Sequence, residues 1–341
     1  MRGSDHAQRL IRDSLVVDVT GANSPIHAFF NEPTNFEPWI AEYKGAGVSW
    51  VSMTAGWDGT HSAGEIIRSL AANRRYLLTR PDEYLFVETV ADITRAKAQG
   101  KLAVNFNFQG SNPLQGDINL VEPLFKLGVG HMLLSYNDKN LAGGGCHDQD
   151  NPGLSHFGKR LVAEMNRVGM VVDATHTAHR TTMDIFEHAT KPVIFSHSNA
   201  YAVHQHERNI TDDQIKACAA SRGAIGINGV GVFVGDNQDC SAKALFRHVD
   251  YIAELVGHQH IGLGLDFVAP MDLSVGRQFI AQLTATYGED QYPAVDELKG
   301  ASPRIIAELT QEMISHGYHD AHIAAILGGN WIRVFEENWG G

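Results

Sequence analysis

Short apolar, β-branched runs alternate along this chain with segments of helical period. Leu15–Thr20, Val48–Thr54, LAVNFNFQG (102–110), HMLLSYN (131–137), Val171–Asp173, Val193–Phe195, AIGINGVG (224–231) and HIGLGLDF (260–267) read as strands, with Tyr84–Glu88 as a shorter extra one. Helical patterns fill most of the gaps. Trp39–Ala46 is closed by Gly47, Gly64–Thr79 stops before Pro81, and DITRAKAQG ends on Gly100. INLVEPLFKLG, HFGKRLVAEMNRVG, Thr211–Arg222 with its threonine cap and acidic first turn, and Ala242–Val256 follow. A long excursion, Val268–Ser302, precedes two terminal helices. Eight strands, most separated by one helix, predict an α/β fold of the (β/α)8 barrel type, with an open doubly wound sheet as the alternative.

Composition narrows the class. With 341 residues, 43% hydrophobic and 19% charged, the chain reads as an ordinary globular protein, and residues 1–341 are expected to form one barrel domain with the C-terminal helices packed on it. The formal charge of -12, with Lys and Arg scattered, argues against a nucleic-acid partner. The first residues carry charges where a signal peptide needs an apolar core, and no run approaches the ~18 apolar residues of a membrane span. A cytoplasmic protein with no membrane partner is therefore expected. Cys146, Cys218 and Cys240 lack CxxC spacing, so neither a disulfide framework nor a thiolate zinc site is indicated, and Cys218 reads as a buried apolar residue.

The stretch Met170–Asn209 carries the most chemistry. Two of its strands run into polar clusters holding His176 and His197. In a parallel barrel both emerge at the C-terminal edge, together with Asp18 or Thr20, Gln109, Tyr136 and Asp266 from other strand ends. Neutral imidazoles on adjacent strands suit Zn²⁺, and Asp266 across the mouth could move a proton between a water and a leaving amine. A third ligand would have to be the amide oxygen of Gln109, a distant carboxylate or a loop residue. Arg208 is placed either to hold a carboxylate bidentately or to form a structural salt bridge. His179 reads as a capping or supporting residue, His204 and His206 as a solvated loop, and LAGGGCHDQDNPGLS (141–155) as a flexible rim rather than a phosphate cradle.

The ordered series LSYNDKN, GLSHFGKRLVAEMNRVGMVVDATH, KPVIFSHSNA, ERNITD, GLDF and GGNWIRVF resembles the membrane (renal) dipeptidase family of metallopeptidases. The resemblance implies an amidohydrolase-type barrel with a binuclear zinc centre that cleaves dipeptides, often as a homodimer. Position by position, His176 and His197 match two zinc-binding histidines, Arg208 the arginine for the substrate carboxylate, and Asp266 the acid/base aspartate. Tyr136 stands where many members have a histidine contacting the reacting carbonyl, and GGNWIRVF places Asn330 with Arg208 and Tyr136 among the substrate-binding residues.

The first half departs from that pattern. The family's Asp-Gly-His-Asn-Asp motif reads Asp18-Val19-Thr20-Gly21-Ala22 here, so Thr20 and Ala22 are degenerate ligand positions, and the bridging glutamate is Gln109. Two dications need anionic ligands to offset their repulsion, and both matching carboxylates are missing. The expectation is a dipeptidase-like hydrolase of a small amide bearing a free carboxylate, with at most one zinc on His176, His197 and, weakly, Gln109. The alternatives are a pseudoenzyme that binds a small carboxylate ligand, and a metal-independent enzyme using Asp266, Tyr136 and the histidines.

Overall fold

The computed structural model describes residues 4–26, 36–59, 62–268 and 273–340. Eight strands form: β1 Val17–Gly21, β2 Trp50–Trp57, β3 Tyr84–Phe86, β4 Leu102–Gln109, β5 Val129–Leu133, β6 Val171–Asp173, β7 Ile225–Ile227 and β8 Ile261–Leu263. Every ladder is parallel, in the order β6-β5-β4-β2-β1-β8-β7, while β3 pairs only with β4 on the outside. Residues 193–195 close the ring. Ile194 bridges to Asp173 and Phe195 to Ile225, with Ile194 N–H donating to Val172 O at 3.0 Å and Gly226 N–H to Phe195 O at 2.7 Å. The expected sixth strand is thus a pair of single bridges, and it supplies the eighth stave of a TIM-type amidohydrolase barrel.

Alternation along the staves sorts side chains to two faces. Val51, Met53, Val104, Phe106, Phe108, Val172 and Ile225 pack outward with helix residues such as Trp39, Ile66 and Leu161 in the main core. Their neighbours face inward, and many are polar. Asn107 Nδ2 donates to Ser52 O at 3.1 Å, Thr54 Oγ1 donates to Asn107 Oδ1 at 3.0 Å, and Trp50 Nε1 donates to Asn105 Oδ1 at 3.0 Å. The lining is cross-linked by hydrogen bonds where most barrels stack aliphatic layers.

The floor comes from the C-terminus. The last helix, Asn330–Trp339, follows Asp320–Ala324 through a π-helical turn at residues 325–329, and sets Trp331, Phe335 and Trp339 against Val17, Trp50 and Val171. Trp50 meets Phe335 edge-on at 4.8 Å. Gly262 has no side chain because a Cβ there would enter the indole of Trp331. A helix at the other end, Asp5–Asp13, escapes the apolar-run reading because only Ala7 and Ile11 on it are buried.

Residues 269–272 of the expected excursion lie outside the described residues, and its remainder, from residue 273 on, covers the opposite end. Its helix Leu273–Tyr287 and the segment after it are fastened by Tyr287 Oη to Asp138 Oδ2 at 2.7 Å, His206 Nε2 to Gln291 O at 2.8 Å, and Ala301 N to Gly229 O at 2.9 Å. Val232, Phe233 and Tyr292 form a small apolar cluster beneath it. His206, expected in a solvated loop, is consequently buried and stands edge-on to Phe233 at 4.7 Å. The glycine-rich stretch is no loose rim either: residues 142–145 are buried, and Gly145 abuts the carbonyl of Asn137 too closely to admit a Cβ. No helix among the described residues is long and apolar enough to cross a membrane. Cys218 is buried among apolar residues, as its pattern suggests.

Candidate active site

Beyond the end of β6 the chain turns sharply, and one buried carboxyl organises the turn. Asp173 Oδ1 accepts the N–H of Thr175 at 3.0 Å and that of Ser196 at 3.1 Å, tying together the ends of two neighbouring staves. His176 then takes a left-handed backbone with φ 65°, and Asn137 and Asp266 do the same at 60° and 54°. Such conformations cost non-glycine residues free energy, and three of them at one rim mark strain concentrated at a site.

The turns bring the two histidines together. His176 Nε2 lies 3.0 Å from His197 Nε2. On the outer side of each ring, His176 Nδ1 meets Asn137 Oδ1 at 2.6 Å and His197 Nδ1 meets Ser196 Oγ at 2.8 Å. An amide oxygen only accepts, so His176 carries its proton on Nδ1 and turns a lone pair toward His197. Burial, and then the Arg208 charge, hold both imidazoles well below the usual histidine range, so both are neutral bases. The ring of Tyr136 lies nearly flat on His176, with centroids 4.1 Å apart.

Arg208 is 3% exposed and pairs with no carboxylate among the described residues. Its Nη2 donates to His197 O at 3.1 Å, its guanidinium lies over Phe233, and its Nε is buried without a partner. The salt-bridge reading of this arginine is therefore set aside. A buried guanidinium lacking its anion is costly, which is the arrangement expected of a receptor for an incoming carboxylate.

Asp266 follows β8, with its N–H donating to Thr20 O at 3.0 Å. Burial pushes its carboxyl up to about 6, against the opposing charge of Arg208 and the polar side chains of Gln109 and Asn228. Gln109 donates from Nε2 to Thr54 Oγ1 at 3.1 Å. Asp18 sits close by, its Oδ1 accepting the N–H of Thr20 at 3.0 Å and of Leu265 at 3.2 Å, and burial lifts it to about 7. Thr20 and Ala22 are buried at the same corner, Ala22 N–H donating to Phe267 O.

The structure does not bring Asn330 to this rim. Its Nδ2 donates to His258 O and Ile261 O, both at 2.8 Å, before and at the start of β8 and so at the opposite end of the barrel, and the substrate-binding expectation for Asn330 is corrected to a brace beneath the floor. His179 is likewise away from the site, exposed and 2.7 Å from Asp213 Oδ2. Conversely, Asn137, Ser196, Asn228 and Asp58 were not singled out by the sequence. Asp58 accepts from Tyr136 N at 3.0 Å, Asn140 Nδ2 at 2.7 Å and Asn112 N at 2.8 Å, and so fixes the loop that presents Tyr136. Burial raises it to about 6.

For a metal, the donor set is partial. Two Zn–N bonds of ~2.0–2.1 Å at a tetrahedral angle put their nitrogens ~3.3 Å apart, so the His176 and His197 lone pairs fit two ligand positions on one ion. Among the described residues no group of three or more His, Cys, Asp or Glu side chains could hold a metal ion.

A parallel barrel whose C-terminal rim gathers paired imidazoles, a raised carboxyl and an unpaired arginine defines a hydrolase of the amidohydrolase class. The chain belongs to the membrane dipeptidase family, peptidase family M19, whose family model matches residues 45–292. It is similar to an amidohydrolase from Pseudomonas aeruginosa at 26% identity and a TM-score of 0.85, covering 98% of this chain and 99% of that one. A probable dipeptidase, PvdM, from Pseudomonas aeruginosa matches at 18% identity and a TM-score of 0.77, over 98% of both chains. A metallo peptidase from Rhodobacter sphaeroides, liganded with a phosphinate mimic of the dipeptide L-Ala-D-Ala, matches at 19% identity and 0.72, over 96% of this chain and 100% of that one.

Proposed function

We propose that this protein hydrolyses dipeptides or similar small amides that carry a free carboxylate, with at most one zinc ion held by His176 and His197 and weakly by Gln109. The observation that carries this reading is Arg208, a buried cation without an anion, beside an imidazole pair and within electrostatic reach of Asp266. The substrate's carboxylate neutralises Arg208 and thereby fixes the position of the amide. The Tyr136 hydroxyl donates to the amide oxygen as charge develops there, in the role of an oxyanion donor. Asp266, with its carboxyl near 6, takes a proton from the attacking water and returns it to the leaving nitrogen. When bound, a zinc ion would supply Lewis acidity and a more acidic water.

The test is hydrolysis of a dipeptide panel with and without added Zn²⁺, alongside a metal count on protein purified without chelator. Absence of turnover on every dipeptide with any metal removes the dipeptidase reading. A second reading then stands: a barrel that binds a small carboxylate through Arg208 without cleaving it, favoured by Thr20 and Ala22, whose side chains offer β1 no imidazole or carboxylate. Full activity in chelator would instead be incompatible with any metal role and would leave Asp266, Tyr136 and the histidines as the working groups.

A further inference from the structure

The contact between the two imidazoles raises a question about protons. With His176 protonated on Nδ1, its Nε2 is an acceptor, and a 3.0 Å separation from His197 Nε2 is a hydrogen-bond distance only if His197 carries its proton on Nε2. His197 Nδ1 is then a lone pair and must accept from the Ser196 hydroxyl at 2.8 Å. In that arrangement the pair satisfies itself and offers nothing to a ligand.

Ser196 has a second choice. Its Oγ lies 3.4 Å from Thr175 Oγ1, and its hydroxyl also bears on the carboxyl of Asp173, which already holds the Ser196 and Thr175 amides. If the hydroxyl turns to those acceptors, its lone pairs face His197 Nδ1, and His197 takes up the Nδ1–H form. Both Nε2 lone pairs then point into the same space and suit a shared cation. His197 is neutral in both forms, having moved one proton from Nε2 to Nδ1, so no net proton is gained or lost. Below them, His131 faces Asp173 across 3.8 Å in the barrel interior, and both residues are wholly buried.

We propose that Ser196, seated on Asp173, is a positioning residue whose hydroxyl switches His197 between a self-paired tautomer and one that presents its Nε2 lone pair beside that of His176. The proposal rests on the reading that these two histidines form the edge of the working site, but its test does not require hydrolysis.

The experiment is long-range ¹⁵N–¹H NMR of ¹⁵N-histidine-labelled protein, with His197→Gln used to assign the signal, and calorimetric titration with ZnCl₂. Wild-type protein should show His197 protonated on Nε2 without metal and on Nδ1 after ZnCl₂ is added. Ser196→Ala lacks an acceptor for the Nδ1 proton. It should keep the Nε2–H form in the presence of ZnCl₂ and lose about tenfold or more in zinc affinity, the scale on which groups that orient a ligand act. Ser196→Thr, which retains the hydroxyl, should restore both. An unchanged His176 Nδ1–H signal shows that the Ala variant is folded. A wild-type His197 tautomer that does not respond to ZnCl₂, or wild-type zinc affinity in Ser196→Ala, overturns the proposal. A tautomer switch in a protein that hydrolyses nothing upholds it while the dipeptidase reading fails.

Discussion

Arg208 donates through Nη2 to the main-chain carbonyl of His197 at 3.1 Å, so the cation assigned to the substrate's carboxylate is anchored to the same residue that supplies one of the paired imidazoles. Under the proposed function, binding and chemistry share a support, and a change in one is felt by the other.

Replacing Arg208 by Lys keeps the charge and removes the planar fork. Initial-rate kinetics on the best dipeptide should show KM raised about 10- to 100-fold, the loss of a charge-assisted bidentate contact, with a smaller change in kcat. A variant with unaltered KM would mean that the carboxylate is held elsewhere.

Asp266→Asn removes the proton carrier while keeping the shape of the side chain. A fall in kcat of about 10²- to 10⁴-fold is expected. The pH profile supplies the sign. The group must be a carboxylate to accept a proton from water, and its folded value is about 6, so wild-type kcat/KM should decline as pH drops through that value. Residual activity in Asp266→Asn should lack this acid limb.

Thr20 and Ala22 stand at the end of β1 beside Asp266, and Gln109 bears on the same carboxyl. A triple variant carrying Thr20→His, Ala22→Asp and Gln109→Glu returns an imidazole and two carboxylates to that corner. Metal analysis should then find two ions per chain, against the one at most that is proposed for the native protein. If the count does not rise, the corner is closed by backbone packing rather than by missing ligands.

Stability should depend on pH through a histidine outside the proposed catalytic set. His248 is buried with Nδ1 accepting the N–H of Ala200 at 3.2 Å and Nε2 donating to Val234 O at 2.9 Å, an arrangement that only the neutral ring can make. Burial lowers its value to about 4 from 6.5. Between those values the unfolded chain binds a proton that the folded chain refuses, so stability falls as pH drops across that window and levels off below it. The contribution is about 3 kcal/mol, and urea unfolding at pH 7 and pH 4 should show it shrink in His248→Gln.

Much of the barrel was legible because apolar runs ending in His176, His197 or Asp266 state both a strand and which end of it matters. The partners that make those residues work were not. Asn137 lies 39 positions from His176, and no local pattern reports a hydrogen bond across such a gap. Asn330 misled for a related reason: a motif shared along the chain does not say at which mouth of a cylinder its side chain falls. His206 looked solvated because its neighbours are polar, and only the return of Gln291 and Tyr292 over it takes it from water.

The hydrogen-bonded lining of Ser52, Thr54, Asn105 and Asn107 sets an unequal tolerance to change. An outward Val or Ile can be exchanged for another aliphatic residue of similar size. An inward Asn cannot, because each partner it leaves behind is stranded without water. Mutational drift in this protein should therefore run freely around the cylinder's outside and stall within it, so that a saturation scan would trace the bore of the barrel without any coordinates at all.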